Sequence, residues 1–166
     1  MPDVPGTYPA PYVSSVMTVE PQWIDFNGHL NMAYYNVLFD RGADQAFIDL
    51  GMGPDYLKKR NLSTMTAEAH VRYIREIHEG APVAVHNFFL AADAKRVQVF
   101  QELRHAAEGW LSATSEIMML HIDMAAKKVA PFPADIAANV QRMMAAHAHL
   151  PRPEGAGRRI AMPAQK

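Results

Sequence analysis

Trp23-Ile24-Asp25-Phe26-Asn27-Gly28-His29-Leu30-Asn31 runs straight into an apolar-periodic segment from Met32 to Leu50. In that segment Tyr35, Leu38, Phe39, Ala43, Ala46, Phe47 and Leu50 recur at helical spacing, while Asn36, Asp40, Asp44, Gln45 and Asp49 form the polar side. Gly51, Gly53 and Pro54 supply a C-terminal stop. At 1.5 Å per residue the helix would be roughly 28 Å long, enough to cross a small domain. The turn ahead of it holds a carboxylate and an imidazole. The first turn of a helix has free N–H groups and the positive end of the macrodipole, a setting that suits an oxygen gaining negative charge during acyl transfer. A carboxylate beside such a site can hydrolyse an ester or thioester without Ser or Cys.

Working outward, residues 1–12 contain four prolines and read as an extended arm. Residues 13–20 are β-prone and end at Pro21. A short helical turn is expected over 55–60. From Met65 to Ile77 the period changes to two: Met65, Ala67, Ala69, Val71, Tyr73, Arg75 and Ile77 on one face, Thr66, Glu68, His70, Arg72, Ile74 and Glu76 on the other. Turns at Gly80-Ala81-Pro82, Asp93-Ala94-Lys95 and Glu108-Gly109 separate further strand-like runs near 83–91, 96–105 and 110–122. Such spacing predicts an antiparallel meander of sequential neighbours. Ile136, Val140, Met143, Met144 and His147 share one face of a terminal amphipathic helix over 134–149, and the chain from Pro151 reads as a flexible tail. The order of elements predicts an α+β domain over 13–150, a twisted sheet covering one long helix, with 151–166 as the tail.

Composition narrows the function. The 166 residues carry 16 Lys and Arg against 17 Asp and Glu, a formal net charge of −1, which argues against a nucleic-acid or polyanion binder. No apolar run approaches 18 residues, so no membrane span is expected, and the first residues lack the basic and apolar regions of a secretory signal. A cytoplasmic protein is the expectation. With no cysteine, a disulfide scaffold, a Cys nucleophile and a Cys-type zinc site are excluded. The histidines show no ligand spacing with carboxylates, so no metal is expected. There is no G-x-S-x-G nucleophile elbow.

The order of elements, with Asp25-x-x-Gly28-His29-x-Asn31 at the mouth of the helix, resembles the hotdog-fold acyl-CoA thioesterases, closest to the hydroxybenzoyl-CoA thioesterase-like family. The resemblance covers roughly residues 13–125. It implies a long central helix wrapped by a five-stranded antiparallel sheet, followed by the C-terminal helix. It also implies an acyl-CoA substrate, no cofactor beyond the coenzyme A carried by that substrate, and a homodimer that can pair further into a tetramer. The family's catalytic carboxylate falls on Asp25, and its backbone oxyanion donor falls around Asn31 and Met32. The place of a second Asp found in many members is occupied by Trp23. The run GHLNMAYYNVLFDR, with Glu68-Ala69-His70-Val71-Arg72-Tyr73 and Asp93-Ala94-Lys95-Arg96, is similar to the branch associated with carnitine and betaine catabolism. For a trimethylammonium acyl group, Trp23, Phe26, Tyr34, Tyr35 and Tyr73 are candidate aromatic faces.

Each site residue also has a structural reading. Asp25 can serve as a turn or capping residue. If catalytic, it attacks the carbonyl or activates water, and the sequence does not choose. His29 can bond the thioester, orient Asp25 or pack in the turn. Asn31 is an N-cap by type. Glu68 and His70 lie on a polar strand face that water would ordinarily solvate; the resemblance brings that strand near a partner's site, making Glu68 a candidate second carboxylate and His70 a candidate contact. Arg72, Arg75, Lys95 and Arg96 are candidates to rim a groove for the coenzyme phosphates. A hotdog hydratase and a non-catalytic acyl-CoA or acyl-carrier binding module are the alternative functions.

Overall fold

The computed structural model describes residues 7–162. Helix α1 (Met32–Asp49) presents Tyr35, Leu38, Phe39, Gly42, Ala43, Ala46 and Phe47 to the core, the stripe expected from its periodicity. Leu50 caps it, its N–H bonded to Ala46 O. A short helix α2 (Pro54–Arg60) follows. Four long strands come next: β3 (Leu62–Tyr73), β4 (Pro82–Ala92), β5 (Arg96–His105) and β6 (Leu111–Asp123). Helix α3 (Ala134–His147) closes the fold. No helix among the described residues is long and apolar enough to cross a membrane.

The α+β class and the wrapped helix stand, with corrections to the sheet. The strand expected over 13–20 forms as two pieces, β1 (Tyr12–Val13) and β2 (Met17–Thr18), both paired with β4. Between them Ser14 N–H donates to Val85 O, and Ser14 Oγ accepts from Val85 N–H, so a side chain completes the ladder where the backbone leaves it. With β7 (Lys128–Val129) on β6, the sheet has seven strands among the described residues rather than five.

The sequential meander is also corrected. The strand order is β1-β4-β5-β6-β3, so β3 pairs with β6 and never with β4. The cause lies in the connection over 74–81. Its Ile74 and Arg75 N–H groups both bond Ser112 O, Ile77 is 1% exposed in the core, and Gly80 N–H bonds Val19 O. Those anchors carry the chain under the mouth of α1 instead of reversing it onto β3. The period-two pattern therefore stops at Tyr73, and a bulge between Thr66 and Glu68 breaks it once more. β3 becomes a sheet edge, with Met65 48% exposed.

Close contact holds α1 on the sheet. A Cβ on Gly42 would stand 2.5 Å from Val85 Cβ, so only glycine permits this approach. A buried amide pair reinforces it: Gln101 Nε2 donates to Phe39 O and Asn87 Oδ1, and Asn87 Nδ2 donates to Gly42 O and Tyr12 O. Buried amides are tolerated when their hydrogen bonds are made, as here.

The ends of the chain are tied to this body. Of the expected arm, residues 1–6 lie outside the described residues. Tyr12 OH donates to Asp49 Oδ2 at 2.6 Å. His147, 4% exposed on α3, accepts the Phe89 N–H at Nδ1 and donates from Nε2 to Pro9 O, which fixes the neutral Nε2–H tautomer. At the other end, the segment read as a flexible tail runs back over β6, where Gly157 N–H donates to the Glu116 carboxylate.

Burial holds the His147 imidazole below the ordinary histidine value, and His149 adds to this against the opposing bond to Pro9. A neutral histidine in the folded chain binds fewer protons than one in the unfolded chain as pH falls through about 6.5. Stability is therefore expected to drop between pH 7.5 and 5.5 in urea titrations. His147→Asn should flatten that slope while lowering stability at pH 7.5; His86, displaced the same way chiefly by burial, leaves a residual slope.

Candidate active site

The turn from Trp23 to Asn31 is a closed loop. Ile24 and Leu30 form a β-bridge. Asp25 N–H donates to His29 O, Gly28 N–H donates to Asp25 O, and Asn31 N–H donates to Trp23 O. Gly28 sits at φ +85, a left-handed conformation that side-chain-bearing residues rarely adopt. Two contacts from the 74–81 connection pin the loop: Leu30 N–H donates to Ile77 O at 2.8 Å, and His78 Nδ1 donates to Gly28 O at 3.1 Å.

Asp25 is half-buried in this loop. Its Oδ1 accepts the Asn27 N–H at 2.8 Å, the Asx turn that the structural reading allowed. That bond orients the carboxylate and leaves Oδ2 without a partner among the described residues. At the helix mouth, Asn31 Oδ1 accepts the Ala33 N–H and Asn31 O accepts the Tyr34 N–H. Of the two amides expected to serve as oxyanion donor, that of Asn31 is bonded to Trp23 O. The Met32 N–H has no acceptor among the described residues. It projects from the positive end of an 18-residue helix.

Asp25, His29, Met32, Tyr35, Tyr73 and Glu76 line one open cleft of about 450 Å³. Tyr73 OH donates to Met32 O at 3.1 Å, and its ring meets Tyr35 edge-on at 5.0 Å. Burial raises both phenols above their ordinary value, so they stay protonated at neutral pH. His29 Nε2 lies 3.1 Å from Glu76 Oε2. Arg75, also on the cleft wall, holds its guanidinium 3.9 Å above the Trp110 ring.

Other expected site residues lie elsewhere. Trp23 is 5% exposed, stacked on Tyr34 at 5.9 Å, with the Arg41 guanidinium 5.1 Å from its ring; a protein cation already occupies that aromatic face. Phe26 stands at the loop tip, 98% exposed. Glu68 and His70 line a separate cleft with Gln98, Glu116 and Arg158. Their neighbours in β3, Thr66 and Ala69, line the cleft against α1 instead. Arg96 is bound to Asp93 at 2.6 Å at the β4–β5 turn; the bond from Arg96 also holds the Asp93 carboxyl below the usual range. Among the described residues no group of three or more His, Asp or Glu is arranged to hold a metal. Glu76 is the site residue that sequence reasoning missed. Its alternation read as strand, and nothing local showed that the strand ends at Tyr73.

A model of the thioesterase-like superfamily matches residues 19–140. The chain belongs to the thioesterase-like superfamily. It is a hotdog-fold thioester hydrolase. This thioesterase is 35% identical over 145 residues to the betainyl-CoA thioesterase of Pseudomonas aeruginosa, covering 87% of this chain and 91% of that one. It is 34% identical over 142 residues to the L-carnitine dehydrogenase/betainyl-CoA thioesterase of Rhizobium meliloti, covering 86% of this chain and 28% of that longer protein. Among solved structures it is similar to a hypothetical protein of Staphylococcus aureus in complex with CoA, with a TM-score of 0.83 and 26% identity, covering 90% of this chain and 94% of that one.

The cap that leaves the Met32 amide free can be tested apart from catalysis. Asn31→Ala is expected to cost about 1 kcal/mol of stability by freeing the Ala33 N–H, measured by urea unfolding at pH 7.5.

Proposed function

We propose that this thioesterase hydrolyses a small acyl-CoA to the free acid and coenzyme A, with Asp25 as the catalytic carboxylate. The observation that carries the proposal is that Asp25 and the unbonded Met32 N–H line one cleft at the positive end of α1. A thioester carbonyl oxygen placed on the Met32 N–H gains stabilisation as negative charge develops on it. Asp25 Oδ2 then either attacks the carbonyl carbon, giving a mixed anhydride that water opens, or removes a proton from attacking water.

Betainyl-CoA is the proposed substrate. The named relatives support it, and so does the cleft. The Tyr73 ring, exposed and backed edge-on by the buried Tyr35, offers aromatic surface, and Asp25 and Glu76 add two carboxylates to the same cleft, a combination that favours a quaternary ammonium group. Trp23 and Tyr34 do not enter this version of the aromatic site, since they stack on each other and Arg41 lies over the Trp23 ring. Arg75 is the basic residue on the cleft wall and the proposed phosphate contact; Arg96 lies at the far hairpin.

The proposal includes a homodimer. β3 is a free edge, and Met65, Tyr73 and Ile74 expose 48%, 45% and 49% of their surface beside it. An unpaired edge of this kind is a template for another strand. Pairing with a second copy is the route by which Glu68 and His70, on β3, would serve catalysis.

Asp25→Asn is expected to lower kcat on betainyl-CoA by about 100-fold or more with the fold intact by circular dichroism; normal turnover by this variant removes Asp25 from the mechanism. Within an acyl-CoA panel followed by thiol release, betainyl-CoA is expected to give the highest kcat/KM, and turnover confined to aromatic acyl groups would exclude the betainyl assignment. Sedimentation equilibrium is expected to give at least twice the mass of one chain, with a monomer counting against the β3 interface.

A further inference from the structure

Thioester hydrolysis has a second half that Asp25 and the Met32 amide leave unserved. When the C–S bond breaks, the electron pair goes to sulfur and an alkyl thiolate departs. An alkyl thiol has a reference pKa of about 8.5 against about 6.5 for imidazolium, so an imidazolium placed at the sulfur transfers its proton downhill. The cleft holds one histidine side chain on its wall, His29.

The geometry of that ring is set by a segment distant in sequence. The segment after β3 lies against the turn through Leu30 N–H to Ile77 O, which brings Glu76 to His29 across 47 positions of sequence. His29 Nε2 and Glu76 Oε2 are 3.1 Å apart, with Nε2–H as the donor to the carboxylate. Nδ1 has no partner among the described residues and belongs to a ring on the cleft wall. His78 packs edge-on against His29 at 6.1 Å and is itself fixed by its bond to Gly28 O. The charged and titratable groups around the ring are Asp25 in the same turn, Arg75, Glu76 and His78 from the 74–81 segment, and the phenols of Tyr35 and Tyr73. Arg75 is drawn onto the Trp110 ring, which leaves Glu76 as the charged group bonded to the imidazole.

We propose that Glu76 is a positioning residue that holds His29 with Nδ1 toward the scissile bond, and that His29 protonates the departing thiolate. The proposal rests on the thioesterase reading and extends it to the leaving group. In the reaction, water oxygen forms the new C–O bond, directly or by opening the Asp25 anhydride, and one water proton passes to Asp25. The C–S bond breaks and the Nδ1 proton goes to sulfur. The proton on Asp25 then returns the imidazole to its charged form, so acid and thiol leave with the enzyme restored.

The role is separable from a structural one by changing the leaving group. On betainyl-CoA, His29→Gln is expected to lower kcat by about 100-fold and Glu76→Gln by about 10-fold, with the double variant no slower than His29→Gln alone because Glu76 acts through His29. On the same acyl group esterified to 4-nitrothiophenol, whose thiolate departs without a proton, both single variants are expected to keep kcat within about threefold of wild type, while KM rises for Glu76→Gln because a carboxylate beside the ammonium group is lost. Equal losses on the two thioesters, or additive losses in the double variant, overturn the assignment of Glu76 and His29 while leaving Asp25 in place. Failure of the wild-type protein to release thiol from either compound overturns the thioesterase reading, and this inference with it.

Discussion

At Gly42 the backbone of α1 lies so close to β4 that any Cβ would collide with Val85. The approach is held by Asn87 and Gln101, buried amides that bond the helix carbonyls of Gly42 and Phe39. A helix seated so deeply has no freedom to slide along or rotate in the sheet without losing those bonds and burying unsatisfied polar groups. Its N-terminus is therefore presented at one fixed point, where the 74–81 segment passes beneath it. The position of the Met32 amide is a consequence of core packing about two to three turns along the helix.

Electrostatics at that point follow from which groups are already bonded. Four N–H groups at a helix start lack intrahelical partners. Here Ala33 and Tyr34 are capped by Asn31, whose own N–H goes to Trp23 O, so the end of the dipole is left expressed through a single amide. Asp25 shows the same economy: one oxygen closes the Asx turn and the other has no partner among the described residues. The structural and catalytic readings of Asp25 are thus compatible, because the turn uses Oδ1 alone and holds the carboxylate at the cleft.

The β3 strand divides the remaining polar residues between two faces. Thr66 and Ala69 line a cleft against α1, while Glu68 and His70 share the other with Glu116 and Arg158. The bulge between Thr66 and Glu68 shifts the alternation and thereby puts Glu68 on a different face from Thr66. The edge of β3 and its exposed apolar residues form a surface on which a further strand can pair.

The sequence by itself determined the elements. The stripe from Tyr35 to Phe47, the stop at Gly51 to Pro54 and the turns at Gly80, Asp93 and Glu108 each act within a few residues, through helical spacing or a local backbone preference, and they appear in the structure within a residue or two. The carboxylate and helix mouth were legible for the same reason, being neighbours in the chain. Tertiary structure decided what no local signal carries. β3 lies beside β6 because Ile77 is drawn into the core and Ser112 O takes the Ile74 and Arg75 amides, and period-two alternation records that a strand exists but not which strand it joins. Trp23 stacks on Tyr34 and takes Arg41 over its ring rather than lining the cleft, and Glu76 reaches His29 only because two segments far apart in sequence cross at Leu30 and Ile77.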